Sequence, residues 1–373
     1  MTSATCQFSA ARPSCGLALG GCNRVFARSC TAETEWDDFV RGIPWATVHH
    51  AFRYGRLLAT CFGYLRPAYR LIESHGSLIA AIPLMQFSVG RLCSSLQSLP
   101  FDIYGGPLLH PDHLEDRDLH QVIARDTDAE AARLGAFEVR FSIPVSAPRA
   151  VWRCLELLSH VERRVTDCPV LSLNRSLEEV RQGYRPDLRR ALRTSARHGV
   201  TVEPGAPTDA LRSLYPFYRA RMEAIGGTVK PWRFIEGVVA ERIGIPFVAY
   251  QDHRAIGFLI LLASPGIAIY WISAIEPSAS GARPMNALLD AAIAWSHAQG
   301  IPRFSFGESH GRPGLVRFKQ GFGPGVGQHM LVVRTYRPGI QRTWRLLEPA
   351  ARRTYALWDR CRASLADVRR RGA

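Results

Sequence analysis

At 373 residues, 47% hydrophobic and 21% charged, the chain has enough apolar side chain to bury sizeable cores. This excludes a disordered or collagen-like polymer and predicts two domains of about 150 residues each. The formal net charge of +15 predicts an anionic partner, whether a phosphate-bearing cofactor, a nucleic acid or an acidic membrane surface, although the bias to arginine, with only Lys230 and Lys319 as lysine, reflects residue usage as well as function.

No apolar run reaches the ~20 residues of a membrane-spanning helix. Nine cysteines without a C-x-x-C pair argue against a disulfide framework or zinc module and for buried thiols in a reducing, cytoplasmic setting.

Residues 1–32 lack periodicity and are expected as a loose extension. A first lobe is expected over 33–166. Within it, Tyr69 to Phe87 reads as strand, polar turn, strand around Ser74-His75-Gly76-Ser77, and the apolar run Leu92 to Leu99 follows. Asp102, Tyr104, Gly105, Gly106 and Pro107 then form a tight turn. Its backbone amides and two polar side chains are placed to meet a ligand, and the same residues also suit an ordinary turn.

The second lobe, 167–336, opens on a helix with Arg185, Arg189, Arg193 and Arg197 spaced four apart. Like charges at that spacing destabilise an isolated helix by roughly 0.2–0.5 kcal/mol per pair, which a bound anion offsets. Glu178, Glu179 and Asp187 lie near enough to neutralise them instead. The hairpin grammar returns at Phe247 to Ala263 around Asp252-His253-Arg254, followed by Ile267 to Ile275 and a helix from Pro284. Meander then helix, twice, predicts two mixed α/β lobes of α+β type. Gly281, Arg283 and Asn286 at the second helix's start are candidates to receive a phosphate through free amides and the helix dipole.

A short strand at Arg303 to Phe306 places Glu308, Ser309 and His310 in the kind of loop where α/β folds carry catalytic groups. Phe318-Lys319-Gln320-Gly321-Phe322-Gly323 then sets a lysine on a helix ending in glycine. An ammonium shifts its pKa and approaches as a point charge, as a carbonyl-polarising group must; a cation favourable to the helix dipole is the plainer account. Lys230, beside Pro231, reads as a surface residue. A strand at Met330 to Arg334 closes the lobe.

Residues 337–373 are expected as a basic amphipathic helical tail, with Ile340, Trp344, Leu347, Tyr355 and Trp358 on one face and ten arginines against Glu348, Asp359 and Asp367. The apolar stripe is expected to pack on the second lobe, with peripheral contact to an anionic inner membrane or binding to nucleic acid as further readings. No G-x-S-x-G, Walker A or dinucleotide fingerprint occurs, which excludes those routes to serine hydrolysis, nucleotide hydrolysis and hydride transfer.

Over roughly residues 34–335 the chain resembles the FemAB-like acyltransferases, a family with two tandem GNAT-like lobes. The segments that carry the likeness are Trp36-Asp37-Asp38-Phe39, Tyr104-Gly105-Gly106-Pro107, Arg189 to Val200, Phe306-Gly307-Glu308-Ser309 and Phe318 to Gly323. The resemblance implies two mixed, mainly antiparallel sheets flanked by helices, with acceptor and donor meeting between the lobes. It implies that Lys319 polarises the reacting carbonyl, that Arg189, Arg193, Tyr104 and Gly105 hold the acceptor, and that the strand near Tyr270 lines the donor.

The loop Ser278-Ala279-Ser280-Gly281-Ala282-Arg283 departs from the Q/R-x-x-G-x-G/A pattern with which many GNAT enzymes cradle coenzyme A. Acyl-CoA is the expected co-substrate and aminoacyl-tRNA the alternative, with no permanently bound cofactor and no metal. The expected acceptor is an amine of a small molecule, sugar, peptide or cell-envelope precursor, in a setting such as exopolysaccharide or peptidoglycan-bridge synthesis. Asp102 or Glu308 is expected to take the amine's proton. A non-catalytic RNA-binding protein on the same fold is the competing class.

Overall fold

The computed structural model describes residues 25–89, 93–101, 104–144, 146–348 and 350. In the first half, β1 (Val25–Ser29), α1 (Glu33–Arg41) and α2 (Phe52–Cys61) lead into β2 (Leu65–Ser74), β3 (Ser77–Val89), β4 (Cys93–Ser98), β5 (Leu108–Leu109), α3 (Arg117–Arg133), β6 (Glu138–Ile143) and α4 (Arg149–Cys154). Next, β7 (Val161–Ser172) carries the chain across to α5 (Leu177–Gln182), α6 (Pro186–Arg197), β8 (Thr201–Pro204), α7 (Thr208–Ala224) and α8 (Trp232–Ala240). The second half is completed by β9 (Gly244–Gln251), β10 (Arg254–Ser264), β11 (Ile267–Ile275), α9 (Pro284–Ala298), β12 (Arg303–Ser305), α10 (Pro313–Gln320) and β13 (Gly325–Thr335).

The duplicated grammar of the sequence is real. Hairpin β2–β3 turns at His75 (φ 51°) and Gly76 (φ 81°), and hairpin β9–β10 turns at Asp252 (φ 49°) and His253 (φ 62°). Positive φ at both central residues is the two-residue turn whose twist matches that of the flanking strands. In each half a third antiparallel strand follows, then a helix, then a strand parallel to the third: β4 beside β6, and β11 beside β12. The sheet is therefore mixed and mainly antiparallel, with helices on its faces.

One sheet unites the halves, in the order β1-β2-β3-β4-β6-β13-β7-β12-β11-β10-β9-β8, with β5 on β3. The strand expected to close the second lobe, β13, instead lies between β6 of the first half and β7. The cores follow the same plan. One apolar cluster runs from Trp36, Leu58 and Ile82 through Phe234 and Phe258, so it crosses between halves, whereas a second, around Leu288, Ile293 and Phe322, lies under α6 and α9.

Residues 338–348 are helical and dock on first-half strands rather than on the second lobe. Trp344 is buried with its ring 5.3 Å from that of Phe87, and Gln341 donates to Glu138 at 2.7 Å. A tail that follows β13 directly emerges beside β6, and this sets where its apolar face is buried. Residues 351–373, with the remainder of the predicted stripe, lie outside the described residues.

Candidate active site

The parallel pair β11–β12 registers at only two positions, Ala268 with Phe304 and Ile269 with Ser305. Immediately beyond, β11 bulges against β10: Leu261 faces Tyr270 and Ile260 faces Ile272, so Trp271 is the extra residue. A bulge bends its strand and ends regular pairing. Here β11 turns away from β12 and its main chain from Tyr270 onward is left without a strand on that side. The loop after β12, Phe306 to His310, stands at this opening, with Gly307 at φ 67°.

Lys319 fixes that loop. Its Nζ donates to the carbonyls of Gly307 and Glu308, each at 2.9 Å, and the side chain is buried. An ammonium has three N–H donors, so two bonds leave one. Burial lowers the Lys319 pKa to about 8, against the opposing pull of Cys168 and Glu308. The residues around it explain the rest of the motif. Phe322 packs edge-on against Tyr184 and Phe318 and lies against Phe306. Gly323 takes φ 70°, where a Cβ would stand 2.6 Å from the Gly183 carbonyl oxygen. The backbone amide of Arg185 donates to Gly321 at 2.9 Å, tying the turn to the start of α6.

From the first half, Tyr104 reaches the same place. Its hydroxyl shares a hydrogen bond with Ser305 and lies 3.9 Å from the Cys168 sulfur, and all three residues are buried. The turn behind Tyr104 is held by groups that the sequence pattern does not single out. Thr47 donates to the Tyr104 carbonyl at 3.3 Å, His50 Nε2 lies 3.3 Å from the Gly105 carbonyl, and the His49 ring stacks on Tyr104 at 5.3 Å. Ser98 Oγ accepts from the Gly106 amide. Burial pushes His50 down to about 3, so it acts as a neutral hydrogen-bonding brace. With both carbonyls engaged, this turn is braced from the first half, and the Tyr104 hydroxyl joins it to the second.

Glu308 lies beside three basic groups. His310 Nδ1 is 3.5 Å from its carboxylate and holds it below the usual carboxylate range; burial opposes this, and His329 and Lys319 assist. Burial raises the Cys168 thiol despite its contacts with Ser305 and Tyr104, so it stays protonated at neutral pH.

The other expected residues are placed as follows. Asp102 lies outside the described residues. Tyr270 is partly buried, its hydroxyl bonded to Ser273, and its carbonyl borders Gly307. Arg189 and Arg193 are exposed on the outer face of α6, whose inner face puts Leu188 against Gly321. Gly281 faces open space, Arg283 adopts φ 56°, and the Asn286 amide donates to Arg283 at 3.1 Å. Lys230 is not a surface residue: it is buried, with Nζ 5.4 Å from the ring centroid of Trp271 and 3.5 Å from the Phe101 carbonyl. It precedes Pro231 at the start of α8, and cation–π attraction to Trp271 offsets its desolvation.

Residues 182–320 match the model of the acetyltransferase (GNAT) domain family, a span from the end of α5 to the end of α10. No curated protein matches the chain. Among solved structures, FemX superposes with a TM-score of 0.67 at 10% identity, over 86% of this chain and 99% of that one. The C-terminal domain of a putative lysylphosphatidylglycerol synthetase from Agrobacterium fabrum superposes with 0.54 at 15% identity, over 82% and 93%. The L-PGS structure from Bacillus licheniformis gives 0.55 at 15%, over 81% and 92%. The chain therefore shares its fold with FemX, and its residues 182–320 are similar to the acetyltransferase (GNAT) domain family.

Proposed function

We propose that this FemAB-like GNAT chain transfers an acyl or aminoacyl group from an activated donor to an amine. The observation that carries this reading is the opening between β11 and β12, whose pairing stops at Ile269–Ser305 just where Trp271 bulges. The main chain of β11 that faces this opening without a neighbouring strand suits the amide-rich arm of coenzyme A or the terminal ester of a charged tRNA. Lys319, with one N–H uncommitted, stands behind the loop at its mouth.

In this mechanism the amine attacks the donor carbonyl and negative charge grows on the carbonyl oxygen. Donors already fixed in a dry setting stabilise that charge more in the transition state than in the ground state, which lowers the barrier. Lys319 supplies one such donor, and Glu308 accepts the amine's proton. A base of this kind contributes roughly 10²- to 10⁴-fold. The acceptor in this reading is an amine of a small molecule or cell-envelope precursor, a setting that the names FemX and lysylphosphatidylglycerol synthetase also suggest.

Acyl-CoA is the first donor reading, because the GNAT domain match covers the whole β9–α10 unit. Charged tRNA is the second, and one observation favours it. In the loop before α9 the amides of Ala279 and Arg283 are already bonded, to Glu276 and Ser280, and Pro284 has no N–H, so these three positions offer no donor to a pyrophosphate. Calorimetric titration with coenzyme A, and separately with charged and uncharged tRNA at two salt concentrations, discriminates the two. Binding of neither, together with no transfer from acetyl-CoA or charged tRNA to a panel of amines, would sink both.

A further inference from the structure

His329 sits on β13 opposite Thr166 of β7, next to the Gln328–Asp167 pair. It is 4% exposed, and its Nδ1 is buried without a hydrogen-bond partner. A buried ring nitrogen left unpaired carries a desolvation cost that a purely structural histidine usually avoids.

The charged groups that act on His329 are Glu308 and His310, both from the loop after β12; those that act on Glu308 are His310, His329 and Lys319 of α10. The three side chains grade from solvent to interior. That of His310 is 67% exposed, that of Glu308 is 20% exposed, and His329 is buried. His310 is held at φ 49°, an uncommon conformation for a residue of its bulk, which the loop maintains. Meanwhile the Glu308 backbone is pinned through its carbonyl to Lys319. The described residues contain no group of three or more side chains converging as metal ligands, so the trio is not arranged as a metal cage.

We propose that Glu308, flanked by His310 and His329, is a proton relay for the attacking amine, in which His329 is a positioning residue whose free Nδ1 engages the carboxylate when the acceptor is bound. The inference rests on the acyl-transfer reading. As the new N–C bond forms and the donor's C–S or C–O bond breaks, the amine's proton passes to Glu308 and from there to the departing thiolate or alkoxide. If the acceptor arrives as an ammonium, its extra proton leaves through His310 to water. Catalytic hydrogen bonds are commonly long before substrate binds and shorten afterwards, and an unpartnered Nδ1 in the free protein fits that pattern. Burial keeps His329 below its ordinary pKa, so at neutral pH it is uncharged and does not compete with Lys319 for Glu308.

The decisive measurement needs no turnover. In the full chain labelled at histidine, ring resonances of His310 and His329 are titrated in the wild type and in Glu308→Gln, with His329→Gln identifying the buried ring. Loss of the carboxylate is expected to lower the His329 titration midpoint; a His329 midpoint unmoved by Glu308→Gln would overturn the proposal. With acetyl-CoA or charged tRNA and any accepted amine, His329→Leu is expected to lower kcat about tenfold with KM unchanged, as loss of an orienting partner does. His329→Asn, which keeps a nitrogen near the Nδ1 position, is expected to restore most of that rate, and equal loss in both variants would also overturn it. If no donor is turned over while the His329 ring remains coupled to Glu308, it is the acyl-transfer reading that fails.

Discussion

Tyr104 and Ser305, 201 positions apart in sequence, share one buried hydrogen bond that ties the first-half turn to the strand at the site's mouth. Removing the hydroxyl in Tyr104→Phe is expected to cost about 1 kcal/mol of unfolding free energy, the usual net worth of such a bond. Chemical denaturation of Tyr104→Phe, Ser305→Ala and the double variant checks it. A coupling energy of about 0.5–1.5 kcal/mol is expected for residues in direct contact, and zero coupling would mean that the hydroxyl is bonded elsewhere.

Lys319 has two separable effects. In Lys319→Met the carbonyls of Gly307 and Glu308 lose their donor, and turnover is expected to fall at least a hundredfold, as for removal of one oxyanion donor. The wild-type rate is expected to decline as pH rises through about 8, where the ammonium loses its proton. Stability runs the other way. Between about 8 and 10.5 the unfolded chain binds more protons than the folded one, so this group's contribution rises with pH. At 1.36 kcal/mol per pKa unit the gain reaches at most about 3 kcal/mol. Unfolding free energies of wild type and Lys319→Met, compared across that window, read it directly.

Two glycines separate packing from ligand contact. A Cβ at Gly105 would fall 2.2 Å from Ser98 Oγ and 2.5 Å from the Ser98 carbonyl oxygen. Gly105→Ala is therefore expected to destabilise the fold by about 1–3 kcal/mol, the range for overpacking. At Gly281 a Cβ would meet nothing within 4 Å, and Gly281→Ala is expected to leave the melting temperature unchanged while weakening the donor if the donor passes there. Differential scanning calorimetry with and without coenzyme A distinguishes the two.

Arg189 and Arg193 are exposed, so replacing both with Gln is expected to change stability by less than about 0.5 kcal/mol, as surface substitutions do. If charged tRNA is the donor, the same double variant is expected to lower the salt dependence of its binding by one to two charge contacts, at a slope of roughly 0.7–0.9 per contact. An unchanged slope would place the polyanion elsewhere.

Much of this architecture was legible because repetition is a strong signal. Two strand-turn-strand runs, each followed by a third strand and a helix, predicted both halves, and the turn residues His75-Gly76 and Asp252-His253 stand where expected. The Lys319 motif stood out in the sequence, and its neighbours have local reasons to be there: Gly323 where the backbone crowds Gly183, and aromatics that wedge the turn. Long-range placement was not. Nothing local in Gly325–Thr335 tells it to pair with β6 rather than stay in its own lobe, since an alternating apolar strand fits either edge. The brace of Thr47, His49 and His50 was hidden because it depends on a turn more than fifty residues away. Lys230 was misread for a related reason: the aromatic that shields it, Trp271, is placed beside it only by the bulge in β11.

The insertion of β13 between β6 and β7 also dictates an order of events during synthesis. β6 leaves the ribosome early with a bare edge, and its partner is among the last of the described strands to be made. Until then the nascent chain carries an open edge of backbone donors and acceptors, the kind of surface that recruits foreign strands. A chain halted after β12 and before β13 leaves β6 and β7 without the strand that joins them. The two halves thus share one sheet and one of the two apolar clusters.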